Sequence, residues 1–281
     1  MNIKDKLSQC RKDGKALLAA NFYNFETMKA VLLAAKMTNS EVILQASEST
    51  LKYLGVLTAA AMAKAGLDEY GVRGWLHFDH GATVELVQQC LDAGFDSVMI
   101  DASEASFEEN VRTTTAVVRM AEGYGANVEA ELGYIAKLGQ SQEVSCTSPD
   151  QARRFVEATG VHALAVAIGN AHGFYKSRPK LHFDVLEAIA AATPVPLVLH
   201  GSSGIPDDDL RRAIGCGICK INLATEIKNV FMKKLQLLLR GNEEIDLRLV
   251  FPSATDAAKD LLINKLMAIN DTHSWPSLQT A

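Results

Sequence analysis

Eight short apolar runs, each followed by a stretch with helical spacing, constrain the fold of this chain more than any other feature. The runs lie at 16–22, 41–47, 74–79, 97–101, 127–133, 163–169, 196–200 and 218–224. They are near-continuous in Val, Ile, Leu and Ala rather than alternating, as parallel strands buried on both faces require. Helices are predicted between them over 25–37, 49–66, 83–93, 107–124, 149–159, 183–192 and 207–214, with a long one after the eighth run to about residue 239. A short amphipathic helix precedes them at 3–13, and further helical sequence follows at 254–268. Eight β–α units in succession predict an α/β chain closed into a (β/α)8 TIM barrel with extra N- and C-terminal helices, one domain over 1–281. The alternative is an open doubly wound sheet. It is disfavoured because no GxGxxG turn follows the first run and no linker divides the chain.

Composition narrows the class of partner. At 281 residues and 48% hydrophobic content the chain can bury a full core. Lys and Arg total 28 against 33 Asp and Glu, a net charge of −5 with no basic block, so a nucleic-acid surface is not expected. No apolar run approaches the roughly 18 residues of a membrane helix. The charged, amphipathic N-terminus has no signal-peptide core after it, so a cytoplasmic location is expected. Five cysteines, an odd number, do not make a disulfide framework, and Cys216-Gly-Ile-Cys219 lacks the second pair a zinc site would use.

The conspicuous polar residues fall at the C-terminal ends of the apolar runs, where such barrels place their active sites: Asn21, Ser47, Asp79, His80, Asp101, Glu131, His172, His200 and Asn222. Taken singly each has an ordinary reading, an acid as a helix cap or a histidine as a hydrogen-bonded surface group. Taken together they converge on one mouth. The third run, Trp75-Leu-His-Phe-Asp-His-Gly81, sets an acid beside an imidazole, and two more His-Gly pairs stand at His172 and His200. Three neutral imidazoles with a fourth position open make a catalytic zinc set. Asp79 would then carry a proton or orient a ligand, and Asp101 and Glu131 are further oxygen donors for the same ion in another position or for a second cation. Gly201-Ser-Ser-Gly204 and Asn222-Leu-Ala-Thr-Glu226, after the seventh and eighth runs, offer backbone N–H groups at helix starts, the usual phosphate cradle of this fold. Asp207 to Asp209 read as first-turn acids that complement the helix dipole.

These residues carry a resemblance to a known family. Val42-Ile-Leu-Gln-Ala-Ser47, His77-Phe-Asp-His-Gly81, Ser97-Val-Met-Ile-Asp101 with Phe107-Glu-Glu-Asn110, Val128-Glu-Ala-Glu-Leu-Gly133, the segment from Ala163 to Gly173, Leu199-His-Gly-Ser-Ser-Gly-Ile-Pro206 and Lys220-Ile-Asn-Leu-Ala-Thr-Glu226 stand in family order. The chain resembles the class II, zinc-dependent ketose-bisphosphate aldolases that cleave fructose or tagatose 1,6-bisphosphate. The resemblance implies reversible cleavage to dihydroxyacetone phosphate and an aldehyde, with zinc as the Lewis acid that stabilises an enediolate. It implies that His80, His172 and His200 hold the zinc and that Asp79 moves the C4 hydroxyl proton. Gly173, Gly201, Ser202, Ser203, Asn222, Leu223, Ala224 and Thr225 would grip dihydroxyacetone phosphate. It further implies a homodimer or homotetramer, and a second or monovalent cation is compatible with it.

Three stretches depart from the family pattern. Many members carry a loop reading roughly Gly-Gly-x-Glu-Asp after the fifth strand; here it is Tyr134-Ile-Ala-Lys-Leu-Gly-Gln-Ser-Gln-Glu143, with Glu143 or another acid left to remove the dihydroxyacetone phosphate proton. The usual His-Gly-Gly-Ser-Gly or its Gly-Ala-Ser form is His-Gly-Ser-Ser-Gly, and the segment after the fourth strand is Ala102-Ser-Glu-Ala-Ser106, where many relatives have a histidine. The dihydroxyacetone phosphate half is thus better supported than the aldehyde half, and an aldehyde with a non-phosphate tail is an open alternative. So are a metal-dependent sugar-phosphate isomerase or epimerase, and a non-catalytic aldolase subunit, against which the intact Asp79 and histidine set argues.

Overall fold

The eight strands pair in parallel in chain order and close on themselves, so that β1 (Leu17–Asn21) meets both β2 (Val42–Ser47) and β8 (Ile218–Leu223). Between them run β3 (Gly74–Gly81), β4 (Ser97–Ile100), β5 (Asn127–Leu132), β6 (Ala163–Val166) and β7 (Leu197–Leu199). This is the barrel expected from the sequence. The computed structural model describes residues 1–133, 135, 146–175 and 177–270. The loop 134–143, Ile135 apart, and the C-terminal tail 271–281 therefore lie outside the described residues.

Side chains alternate across each strand. The outward set, including Leu18, Leu44, Leu76, Phe78, Val98, Val128, Leu164, Leu199 and Ile221, forms one core with the surrounding helices. The inward set at the floor is apolar: Leu17, Ala19, Ile43, Trp75, Ala163, Ala165 and Val198. Helix α1 (Ile3–Asp13) closes this end by inserting Ile3, Leu7 and Cys10 into the same cluster. Its Arg11 guanidinium donates to the carbonyls of Ala190 (2.8 Å), Thr193 (2.6 Å) and Val195 (2.5 Å), satisfying acceptors that the end of α8 (Phe183–Ala192) leaves unpaired.

The outer ring comprises α2 (Phe25–Met37), α3 (Glu48–Leu54), α4 (Val56–Tyr70), α5 (Val84–Asp92), α6 (Phe107–Glu122), α7 (Pro149–Thr159), α8, α9 (Asp207–Gly215), α10 (Thr225–Leu238) and α11 (Leu247–Asn270). The helix expected over 49–66 is in fact two, because Gly55 sits between them at φ +84°, outside the helical region. The C-terminal helix starts earlier than expected, at Leu247, and carries Pro252 inside it. Asp207, Asp208 and Asp209 do occupy the first turn of α9. Among the described residues, no helix is long and apolar enough to cross a membrane.

Candidate metal centre

Above the apolar floor the barrel interior is polar. Residues two apart on a strand share a face, so His77 with Asp79, Glu129 with Glu131, and Lys220 with Asn222 all project inward, flanked by Asn21, Gln45, Ser97 and Asn127. His77, Glu129, His200 and Lys220 are almost completely inaccessible to solvent. Buried charges persist only when paired and hydrogen-bonded. Here Lys220 Nζ lies 2.9 Å from Glu129 Oε2 and 3.4 Å from His77 Nε2, and His77 Nδ1 lies 2.7 Å from Ser97 Oγ, which also accepts from Asn127 Nδ2 at 3.0 Å. Burial, then the Lys220 ammonium, lowers the His77 pKa to about 3, so that ring is neutral and accepts the lysine proton.

The three His-Gly histidines meet above this network, with ring centroids 4.7 Å apart for His80 and His200, 5.0 Å for His80 and His172, and 5.9 Å for His172 and His200. With Glu131 they supply four donor atoms, all within 4.8 Å of one another. Two of the rings are oriented from behind. His80 Nδ1 donates to Asp101 Oδ2 at 2.7 Å, leaving Nε2 for the centre. His200 donates from Nε2 to Glu129 Oε1 at 2.9 Å, which turns its Nδ1 toward Glu131 Oε2, 3.3 Å away. Those last two atoms are buried and have no hydrogen-bond partner. Two orphaned donor atoms facing each other beside two further imidazoles fit a bound cation, since a buried unpaired polar atom is otherwise costly. This backing of ligand imidazoles by carboxylates is the pattern that fixes their tautomers and strengthens them as ligands.

Electrostatics divide the three rings. Burial and the neighbouring His80 and His200 lower the His172 pKa to about 3, leaving it neutral. Burial works against protonation of His200, but the hydrogen bond to Glu129 and the facing Glu131 carboxylate outweigh it and raise its pKa to about 10; a metal cation would take the place of that proton. Asp101 is held below the usual carboxylate range despite burial, by the hydrogen bond from His80 and those from the Ser103 hydroxyl (2.7 Å) and N–H (3.1 Å). Those bonds engage both oxygens of Asp101. It therefore supports His80 and does not join the donor group, whereas Glu131, expected with it as an alternative ligand, does.

Asp79 stands beside the centre, its Oδ1 3.9 Å from His80 Nε2. Asn222 Nδ2 donates to Oδ1 at 3.1 Å, and Asn21 and Gln45 donate to Oδ2 at 3.2 and 3.4 Å. Burial favours its protonation, but His80, His200 and Lys220 prevail and hold the pKa below the usual value. That Asp79 and His80 both reach the mouth needs a break in strand alternation. His80 adopts φ +54°, a left-handed conformation uncommon for a residue with a side chain, at a register irregularity between β3 and β4. Gly81 makes the irregularity possible, because a Cβ there would lie 2.6 Å from the Met99 carbonyl oxygen.

The loops after β6, β7 and β8 are stitched together. Asn170 donates to the His200 carbonyl at 3.0 Å, and Tyr175 OH accepts from Ala171 N–H and donates to the Gly201 carbonyl. Ser202 Oγ donates to the Asn222 carbonyl at 2.5 Å, and Ser203 Oγ accepts from Glu226 N–H at 3.2 Å. Of the expected phosphate cradle, Gly173, Ala224 and Thr225 line the cavity of about 1180 Å3 that opens over the centre. Gly201, Ser202, Ser203 and Asn222 lie buried beneath it, and the Leu223 side chain belongs to the outer core, so only its backbone can face a ligand. The residues that sequence reasoning missed include Glu129, Lys220, Asn170 and Tyr175, with Gln45 and His77. The signal for the first two was present, since each is a charge inside an otherwise apolar strand, two residues before a polar group already singled out (Glu131 and Asn222).

Fold and centre together define a parallel (β/α)8 barrel with three histidines and a carboxylate gathered at the strand ends, a donor set that could hold a metal ion. The family described as fructose-bisphosphate aldolase class-II matches residues 1–274, and the chain belongs to that family of metal-dependent aldehyde-lyases. The chain is 38% identical over 275 residues to the fructose-bisphosphate aldolase of Staphylococcus aureus (strain Mu50), covering 95% of this chain and 96% of that one. It is 37% identical over 274 residues to the D-tagatose-1,6-bisphosphate aldolase subunit GatY of Klebsiella oxytoca, covering 96% of each. The crystal structure of the YdjI aldolase of Escherichia coli K12 superposes with a TM-score of 0.86 at 33% identity, over 98% of this chain and 99% of that chain.

Proposed function

We propose that the protein is a zinc-dependent aldolase that reversibly cleaves a ketose 1-phosphate or 1,6-bisphosphate to dihydroxyacetone phosphate and an aldehyde. The observation that carries this reading is the convergence of His80, His172, His200 and Glu131 within 4.8 Å, with the Asp79 carboxylate alongside. Three imidazole nitrogens and a carboxylate oxygen suit zinc among the common divalent ions. When bound there, zinc supplies Lewis acidity to the ketone carbonyl and charge stabilisation to the carbanion equivalent left by C–C cleavage.

The protein's own groups do the rest. Asp79, ionised and fixed by three side-chain amides, accepts the C4 hydroxyl proton during cleavage and returns it during condensation. The N–H groups of Gly173 and of the Gly201–Ser203 and Asn222–Thr225 segments receive the phosphate at the start of α10, with the Lys228 ammonium lining the same side of the cavity. The fructose and tagatose enzymes among its relatives support a ketose of that kind.

The active form is a homodimer or homotetramer in this reading, in keeping with the exposed Leu237, Leu239, Ile245, Leu247 and Leu249 at the end of α10, in the connection and at the start of α11. The zinc-loaded protein should exchange a C–H proton of dihydroxyacetone phosphate with deuterated solvent and release triose phosphate from a ketose 1-phosphate or bisphosphate. Absence of both would overturn the aldolase reading, and interconversion of sugar phosphates without triose release would replace it with an isomerase.

A further inference from the structure

The cavity over the metal centre has two chemically different ends. One lies at β8 and α10, where Ala224, Thr225 and Lys228 line it. The other lies across the mouth, beyond His80 and Glu131, where the segments after β2 and β4 and the first turns of α6 provide the wall. That wall carries the hydroxyls of Ser47, Ser49, Ser103 and Thr113 and the carboxylates of Glu104 and Glu109. Among the described lining residues Lys228 is the sole lysine or arginine, and it belongs to the first end. Arg112 engages Glu109 from outside, three residues along α6, with its own side chain largely in solvent.

We propose, resting on the aldolase reading, that the aldehyde partner is a polyhydroxylated aldose with no phosphate at its far end. Carboxylates and hydroxyls accept hydrogen bonds from sugar hydroxyls. A phosphate dianion brought to the same wall meets the like charge of Glu104, which has no cation among the described lining residues beside it, while Glu109 is already engaged by Arg112. The size of the cavity agrees. At about 1180 Å3 it exceeds the roughly 300–1,000 Å3 of ordinary small-molecule sites, leaving room beyond the metal centre for a chain longer than three carbons. Specificity of this kind comes from groups that would be left repelled or unpaired by the wrong substrate.

The test runs the zinc-loaded protein in the condensation direction, with dihydroxyacetone phosphate and matched aldehydes: glyceraldehyde 3-phosphate against unphosphorylated aldoses of three to six carbons. Solvent deuterium exchange into dihydroxyacetone phosphate alone is measured alongside. The expected result is exchange, and a kcat/KM at least tenfold higher for one or more neutral aldoses than for glyceraldehyde 3-phosphate. Exchange together with equal or better use of glyceraldehyde 3-phosphate overturns the specificity inference and leaves the aldolase reading standing. No exchange and no condensation with any aldehyde overturns the aldolase reading, and this inference with it. Reversing one charge gives a second readout: Glu104→Lys should raise the preference for glyceraldehyde 3-phosphate over the best neutral aldose at least fivefold. An unchanged ratio would remove the electrostatic basis of the proposal.

Discussion

Glu129 accepts from His200 Nε2 at 2.9 Å through one carboxylate oxygen and contacts Lys220 Nζ at 2.9 Å through the other, all three side chains being buried in the barrel interior. The carboxylate thus ties the ring to a charge balance beneath it, and the direction of His200 Nδ1 follows from that tie. Burial opposes the ionised form of Glu129, but Lys220 and the hydrogen bond from His200 hold its pKa well below the usual carboxylate range.

This pairing makes a stability prediction. Lys220→Met leaves the Glu129 carboxylate buried without its cation and should destabilise the fold by about 3–5 kcal/mol. Glu129→Gln should also destabilise, and the double variant should cost at least about 1 kcal/mol less than the sum of the two. Urea unfolding of the four proteins measures the coupling; strict additivity would show that the pair does not act as a unit.

Metal retention should depend on the imidazoles. After desalting, His172→Ala and His200→Ala should hold less than a tenth of the zinc bound by the parent, by elemental analysis. A chelator should abolish activity of the parent and lower its Tm. Free metal at a hundred times Kd stabilises by about 2.7 kcal/mol, so the loss should be visible in a melt.

In the proposed mechanism Asp79 moves a proton rather than binding the ion. Asp79→Ala should keep its zinc and lose 10²- to 10⁴-fold in cleavage rate, on the order of what general acid–base catalysis contributes. Deuterium exchange into dihydroxyacetone phosphate should survive, because that proton is removed by another group. Cleavage at the parental rate would refute the role.

Gly201 is required by space as well as by backbone. At φ +62°, an added Cβ would lie 2.2 Å from the Ala171 carbonyl oxygen, where the β6 and β7 loops are stitched together. Gly201→Ala should therefore cost roughly 2–4 kcal/mol and shift the phosphate loop. Denaturant midpoints and KM for the phosphorylated substrate would report both effects.

A pH-dependent contribution comes from the far end of the barrel. His162 Nδ1 accepts from Val128 N–H at 3.0 Å, and burial, then Lys4, lowers its pKa to about 4. Below its unfolded pKa of about 6.5 the unfolded chain takes up a proton that the folded chain refuses. Its contribution to stability is therefore complete above pH 6.5 and is lost progressively as pH falls toward 4. His162→Gln should flatten the stability slope in that window, measured by unfolding at a series of pH values. An identical slope would mean that His162 is not the group responsible.

Much of this was legible in the chain, for local reasons. The near-continuous apolar strands announced burial on both faces, and the three His-Gly pairs announced the mouth. The division of the helix at Gly55 was not legible, because glycine is tolerated within a helix and its φ is chosen by packing. Nor could spacing separate Asp101 from Glu131. Both stand at strand ends, but Asp101 is drawn to His80 and Ser103, and Glu131 faces the orphaned nitrogen of His200.

The sequence by itself determined the eight repeated units, the strand-end position of each polar group and the inward face shared by Glu129 with Glu131 and by Lys220 with Asn222, since strand periodicity and burial are encoded within a few residues. Tertiary structure alone decided that His80 turns into the left-handed region to stand beside Asp79, and that Glu131 completes the histidine set. It also decided that Glu129 joins His200 to Lys220 across the barrel. Those relationships are distances of a few ångströms between residues as far apart in the chain as His80 and His200. They are set by strand register and closure of the barrel, which no local pattern contains.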